Sequence, residues 1–159
     1  MSFFKKIKQG LGIGTAKASL SVSESLSKNA EEIKGQVKIA AKSDQSVKSI
    51  KICLQKVSNV TVGEEQQRRV EVIESLILSD AFEIKQDEEK TIDFVMPLPF
   101  NKPNAASVNV KGWTVSFGAS NPLEIDVFSS SSTWVEVMAT VDLEGVAIDP
   151  TSTQRLTIF

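Results

Sequence analysis

The stretch Ala81 to Pro99, AFEIKQDEEKTIDFVMPLP, constrains this chain more than any other. Its apolar residues recur at every second position: Phe82 and Ile84 before a polar run, then Ile92, Phe94, Met96 and Leu98 after it. Side chains two apart on a strand share a face, so each arm offers one apolar face to a core. The run Gln86 to Lys90, QDEEK, is too charged to bury and stands where a hairpin loop belongs. Pro97 and Pro99 lack the N–H that a central ladder requires, so the second arm leaves its sheet about there. A hairpin of two half-buried strands is the expected element.

The same period runs along most of the chain. Ala16, Ala18, Leu20 and Val22 alternate with polar neighbours, as do Ile33, Val37, Ile39 and Ala41, and then Ile50, Ile52 and Leu54. Thr133 to Leu143 is the strongest strand, with Val135, Val137, Ala139, Val141 and Leu143 on one face. Leu156 and Ile158 close the chain as a last strand. Arg68 to Leu78 fits two templates. Val70, Val72, Leu76 and Leu78 read as a strand face, while Val72, Ile73, Leu76 and Ile77 read equally well as a helix face; the surrounding strands favour a strand. Turn signals separate these runs at Ser43 to Ser46, Gly63 to Gln67, Asn121-Pro122 and Asp149 to Ser152. Shorter strands are expected around Val108 to Phe117 and Leu123 to Val127. The result is an all-β protein, an antiparallel two-sheet β-sandwich of about nine to eleven short strands.

Met1 to Gly14, MSFFKKIKQGLGIG, breaks the period. Phe3, Phe4, Ile7 and Leu11 follow helical spacing, with Lys5, Lys6 and Lys8 on the other side and glycines ending any helix at Gly10, Gly12 and Gly14. The organisation is therefore a basic amphipathic arm over residues 1–14 and a single sandwich domain over residues 15–159. About ten residues are too few for a stable free helix, so the arm needs something to pack on. One reading docks it on an anionic membrane or in a partner's groove through Phe3, Phe4, Lys5, Lys6, Ile7 and Lys8. The plainer reading folds it back over an open sheet edge. The glycines are not a phosphate loop, since no strand precedes them and no helix follows.

The missing residue types limit the chemistry. With no histidine among its 159 residues, the chain has no Ser-His or Cys-His nucleophile and no imidazole metal ligand. It has no tyrosine, so acid–base work would fall to carboxylates, lysines or the one cysteine, Cys53. Cys53 points away from the face of Ile50, Ile52 and Leu54 and reads as a packing or surface thiol. Glu71 and Glu74 are the nearest approach to a carboxylate pair, and nothing around them marks a substrate cleft. Trp113 and Trp134 could stack on a sugar, but each also fits a core or edge position. No catalytic, metal-binding or cofactor-binding residue is assigned, and the chain reads as a non-enzyme.

No apolar run approaches the roughly 18 to 20 residues of a membrane span. No apolar core of about 7 to 15 residues follows the basic start, which argues against a secretory signal. A cytoplasmic protein is expected, with the inner face of the membrane as the alternative station. Charge is divided unevenly: residues 1–60 hold 11 lysines against 4 acids, and residues 61–159 hold 7 basic against 16 acidic residues. A basic first third can favour an anionic surface, whereas strands from both halves interleaving in space would average the field out. There is no aromatic stacking row and no arginine-rich patch, so nucleic-acid binding is not expected.

The start MSFFKKIKQGLGIGTAK, the stretch AFEIKQDEEKTIDFVMPLP and the end WVEVMATVDLEGVAIDPTSTQRLTI together resemble bacterial sporulation-control proteins of the SpoOM type. The ending is the most specific match, with Ala147-Ile148-Asp149-Pro150 after a strand and an acidic turn. That family has an arrestin-like fold and commonly carries further sequence after its first such domain. Residues Asn101 to Ser132 read as an insertion relative to it. The resemblance implies a non-catalytic adaptor or regulator that acts by binding proteins. Peripheral membrane association through the arm is the alternative, and self-association through sheet edges or the arm is a further reading that the residues do not select.

Overall fold

Period-two alternation becomes eleven strands among the described residues: β1 (Ala16–Val22), β2 (Ser25–Leu26), β3 (Glu32–Ala41), β4 (Gln45–Val62), β5 (Glu65–Leu78), β6 (Phe82–Ile84), β7 (Glu89–Pro97), β8 (Ser107–Val110), β9 (Trp113–Ser116), β10 (Ser132–Leu143) and β11 (Thr151–Ile158). The computed structural model describes residues 14–99, 107–110, 113–116 and 132–159, with side chains outside β8 and β9. The proposed arm residues Phe3, Phe4, Lys5, Lys6, Ile7 and Lys8, and the strand expected at Leu123 to Val127, lie outside the described residues.

Two sheets carry the fold. The smaller has the order β1-β3-β7, and the larger β2-β11-β10-β4-β5, with β6 paired to the start of β4. Neighbours are antiparallel except β11 and β2, which run parallel. β8 and β9 form a separate two-stranded pair. The larger sheet is organised on β4 and β10, where Ile50, Ile52 and Leu54 lie directly opposite Val141, Ala139 and Val137. All six are buried, and they face Ile33, Val37, Ile39, Phe94 and Met96 from the smaller sheet in one core cluster. Each such branched or aromatic side chain contributes about 1.5–3 kcal/mol relative to exposure.

The alternation thus gives the inner faces, but pairing departs from expectation in three places. First, the two arms of the Ala81 to Pro99 stretch are not a hairpin. β6 pairs with β4 in the larger sheet and β7 with β3 in the smaller one, so the stretch crosses between sheets. The reason is the polar turn, whose backbone donors are claimed by the β3–β4 connection: Asp87 N donates to Ala41 O at 2.9 Å and Gln86 N to Asp44 Oδ1 at 2.8 Å. Asp87 takes a left-handed φ of 64°, which Asp tolerates better than most residues. The arms still meet at one point, with the Lys90 ammonium 3.9 Å from the Phe82 ring centre.

Second, Val70, Val72, Leu76 and Leu78 do not share a face. The β4–β5 register shifts between Leu54 and Gln55, which face Glu74 and Val72 and leave Ile73 as an extra residue. A bulge of this kind inverts the parity of the strand beyond it. Leu76 and Leu78 pack on the core, while Val70 and Val72 point out of the opposite face. Third, β2 forms inside the polar loop after β1, held by Thr157 N to Glu24 O and Phe159 N to Leu26 O.

Strands from the basic first third lie beside strands from the acidic remainder. Basic β3 lies directly beside acidic β7, with a Lys38–Glu89 ion pair at 2.9 Å and a Gln36–Asp93 hydrogen bond at 2.7 Å. The two sheets are also joined at one seam. Ser152 Oγ and Gln154 Oε1 of β11 accept from the backbone N–H groups of Leu20 and Val22, and Gln154 Nε2 donates to Val22 O. Side chains of one sheet thereby complete the outer edge of the other.

Gly35 sits opposite both Val22 and Phe94. A Cβ there would lie 2.7 Å from Phe94 Cζ, 2.5 Å from Val22 Cγ1 and 2.8 Å from the Ser21 carbonyl oxygen. The Phe94 ring occupies the space that a side chain would take. Gly35→Ala should therefore destabilise the fold by about 1–3 kcal/mol, as overpacking does, read as a lower urea midpoint with an unchanged slope.

Candidate functional site

The outer face of the larger sheet holds the one buried carboxylate among the described residues, Glu136, at 6% exposure. Trp134 and Glu136 are two apart on β10 and share that face. Gln55 on β4 and Arg155 on β11 lie directly across from Glu136 on either side. Glu136 Oε1 accepts from Gln55 Nε2 at 2.6 Å and from Arg68 Nη2 at 3.4 Å, and Oε2 accepts from Trp134 Nε1 at 2.8 Å. The Arg155 guanidinium stacks on the Trp134 ring at 4.0 Å. A buried charge is tolerable only when paired and hydrogen-bonded, and these donors supply that. Held by three donors, Glu136 is a clamp joining β4, β5 and β10.

Beside this clamp runs β5, which ends its sheet. Every residue from Glu65 to Val72 is exposed on both faces of the strand. Val70 and Val72 stand out at 50% and 56% exposure, and Ile77 beyond the bulge at 60%. The strand is long because Gly63, at φ +65°, makes a two-residue turn that keeps Val62 paired with Glu65. The polar tip expected over Gly63 to Gln67 is thus only Gly63 and Glu64, and Glu65 to Gln67 are ladder residues. Among the described residues β7, the last strand of the smaller sheet, also lacks a paired neighbour on its outer side, while two other edges are covered in part. Ser152 and Gln154 occupy the edge of β1, and β2 occupies that of β11. β5 has no paired neighbour on its free side among the described residues.

The remaining sequence candidates fall away from any common site. Cys53 is buried opposite Met138 and packs rather than reacts. Glu71 is exposed and Glu74 half-buried, on different sides of the bulge. Trp134 is half-buried and engaged, which removes it as a free stacking platform; Trp113 begins β9. Lys34 is held above its ordinary pKa by its hydrogen bond to Glu32 and then by that carboxylate's charge, but it is exposed and lies on β3 of the other sheet. Two grooves of about 240 and 440 Å³ lie near β2, one lined by Glu32 and Lys34 and the other by Glu24 and Arg155. No group of three or more potential metal ligands occurs among the described residues, and no described helix is long and apolar enough to cross a membrane. Sequence reasoning missed both Glu136, which reads as an ordinary outward position between valines, and the outward turn of Val70 and Val72.

Comparison with known proteins gives a consistent set of matches. The profile of the SpoOM protein family matches residues 4–153. Over 104 residues the chain is 30% identical to the sporulation-control protein Spo0M of Bacillus subtilis (strain 168), covering 65% of this chain and 40% of that protein. The crystal structure of Spo0M from Bacillus subtilis superposes with a TM-score of 0.62 at 21% identity, covering 92% of this chain and 50% of the other. That superposition establishes a shared fold. The chain spans half or less of the length of these relatives.

The clamp predicts an asymmetric pair of stability effects. Glu136→Ala strands the buried Gln55 amide and the Trp134 indole N–H and should cost about 2–3 kcal/mol. Arg68→Ala removes only a partly exposed ion pair and should cost about 1 kcal/mol or less. Urea unfolding of the two variants checks the ordering.

Proposed function

The chain belongs to the SpoOM protein family, and from that premise we propose that it is a non-catalytic, arrestin-like binding protein that takes up an extended segment of a protein partner along β5. The observation that carries this reading is a long strand edge with no paired neighbour among the described residues, exposed from Glu65 to Val72 and carrying the outward Val70 and Val72. An incoming strand would gain main-chain hydrogen bonds from the edge, and its alternate side chains would meet Val70 and Val72 on one face and Arg69 and Glu71 on the other. The bulge at Ile73 and the charges of Arg68, Arg69, Glu71 and Glu74 are the devices that keep such an edge from pairing indiscriminately. They make the edge selective.

Two facts support binding over catalysis. The chain has no histidine, and the buried carboxylate and the thiol are both occupied in packing. Sporulation control is the role that the Bacillus subtilis relative's name states. A regulatory role of that kind, exerted through a protein partner, is the setting we infer for this chain.

Val70→Lys/Val72→Lys places two charges on the exposed face without touching the core, so the thermal transition should survive. A defined protein that co-purifies with the native chain from the native cell lysate, and binds it again as a purified pair, should be lost by this variant. Equal retention by both would move the contact away from β5.

A further inference from the structure

We infer that β5 pairs with β5 of a second copy of this chain, antiparallel about a two-fold axis through Val70. This rests on the reading of β5 as a docking edge and names its occupant. A two-fold interface sets each strand against itself, so the charges along the strand decide which registers are tolerable. Residues facing each other must also come from the same face of the strand. Before the bulge the sequence runs Gln67-Arg68-Arg69-Val70-Glu71-Val72. Centring on Arg68, Arg69 or Glu71 sets that charge against its own copy. Centring on Gln67 also sets Arg69 against Glu65, but it puts Val70 opposite Glu64 of the turn and leaves Val70 and Val72 without an apolar or aliphatic partner; centring on Val72 runs the pairing into the bulge with no ion pair formed.

Centring on Val70 satisfies every position. Val70 meets Val70, and Arg69 of each copy faces Glu71 of the other, which makes two symmetric ion pairs. Arg68 faces Val72, so its aliphatic stem covers an apolar side chain that is otherwise 56% exposed. Neither Arg69 nor Glu71 has an ion-pair partner among the described residues of its own chain. Both are exposed, and both project on the face opposite Val70 and Val72. Matched pairing extends from Arg68 to Val72, and the bulge at Ile73 stops it from spreading into an open-ended sheet. The pairing would join the two six-stranded sheets into one continuous sheet across the dimer.

Charge exchange tests the register. Sedimentation equilibrium of the full chain, from micromolar to near-millimolar concentration, should show a reversible dimer. Arg69→Glu alone sets glutamate against glutamate twice, and Glu71→Arg alone sets arginine against arginine twice. Each should weaken self-association by about tenfold or more. The double variant Arg69→Glu/Glu71→Arg should recover it, and an equimolar mixture of the two single variants should form a heterodimer. Both positions are exposed and outside the core, so loss of folding does not confuse the readout, and the unchanged thermal transition of each variant checks this. A chain that stays monomeric across the range overturns the inference, as does a dimer indifferent to these exchanges. If the monomeric chain still binds a protein that Val70→Lys/Val72→Lys loses, the docking reading stands and the second copy is the wrong occupant.

Discussion

Everything in this molecule hangs on the ladder between β4 and β10. It sets Ile50, Ile52 and Leu54 against Val141, Ala139 and Val137, and the smaller sheet closes upon this surface in one core cluster. A sheet that is apolar on one face is stable only when that face is covered. Once β4 is held in this way, its length has consequences. β4 runs on to Val62, and the two-residue turn at Gly63 sends β5 back along its whole length. The core therefore generates an edge that the core does not need.

The treatment of that edge is uneven across the molecule. Ser152 and Gln154 stand in for a missing strand along β1, satisfying donors that would otherwise be open. β2 does the same for the end of β11 with backbone groups. On β5 the groups have no paired neighbour among the described residues, yet the strand is not loose: Arg68 ties it to Glu136, which is tied in turn to Gln55 and Trp134. An open edge held rigid by a buried clamp on its neighbours costs a partner little ordering entropy.

Most of the fold was legible in the sequence because burial and period coincide. Val135, Val137, Ala139, Val141 and Leu143 read as one face and form one face. The family resemblance likewise pointed to the fold that the superposition bears out. What alternation cannot report is which strand pairs with which. Phe82 and Ile84 have the same pattern whether β6 joins β7 or β4, and the choice is made by Ala41 and Asp44, some forty residues away. A bulge is equally silent in the pattern. One extra residue at Ile73 sends Val70 and Val72 outward while Leu76 and Leu78 go inward, and a helix face could be drawn through the same residues. Glu136 was hidden for a related reason, since an outward position is polar by default and its burial depends on Trp134, Gln55 and Arg68 converging from three strands.

The claim on which the account rests is that Glu65 to Val72 is an ordered strand with an open side. Residue-resolved hydrogen exchange of the dilute chain measures this directly. Amides of Ile50 to Leu54 and Val135 to Val141 should exchange only through global unfolding. From Glu65 to Val72, amides should alternate, with those bonded to β4 protected and those facing outward exchanging orders of magnitude faster. Uniform protection along that run, equal to that of β4, would mean that the edge is already covered within the chain and would contradict the account.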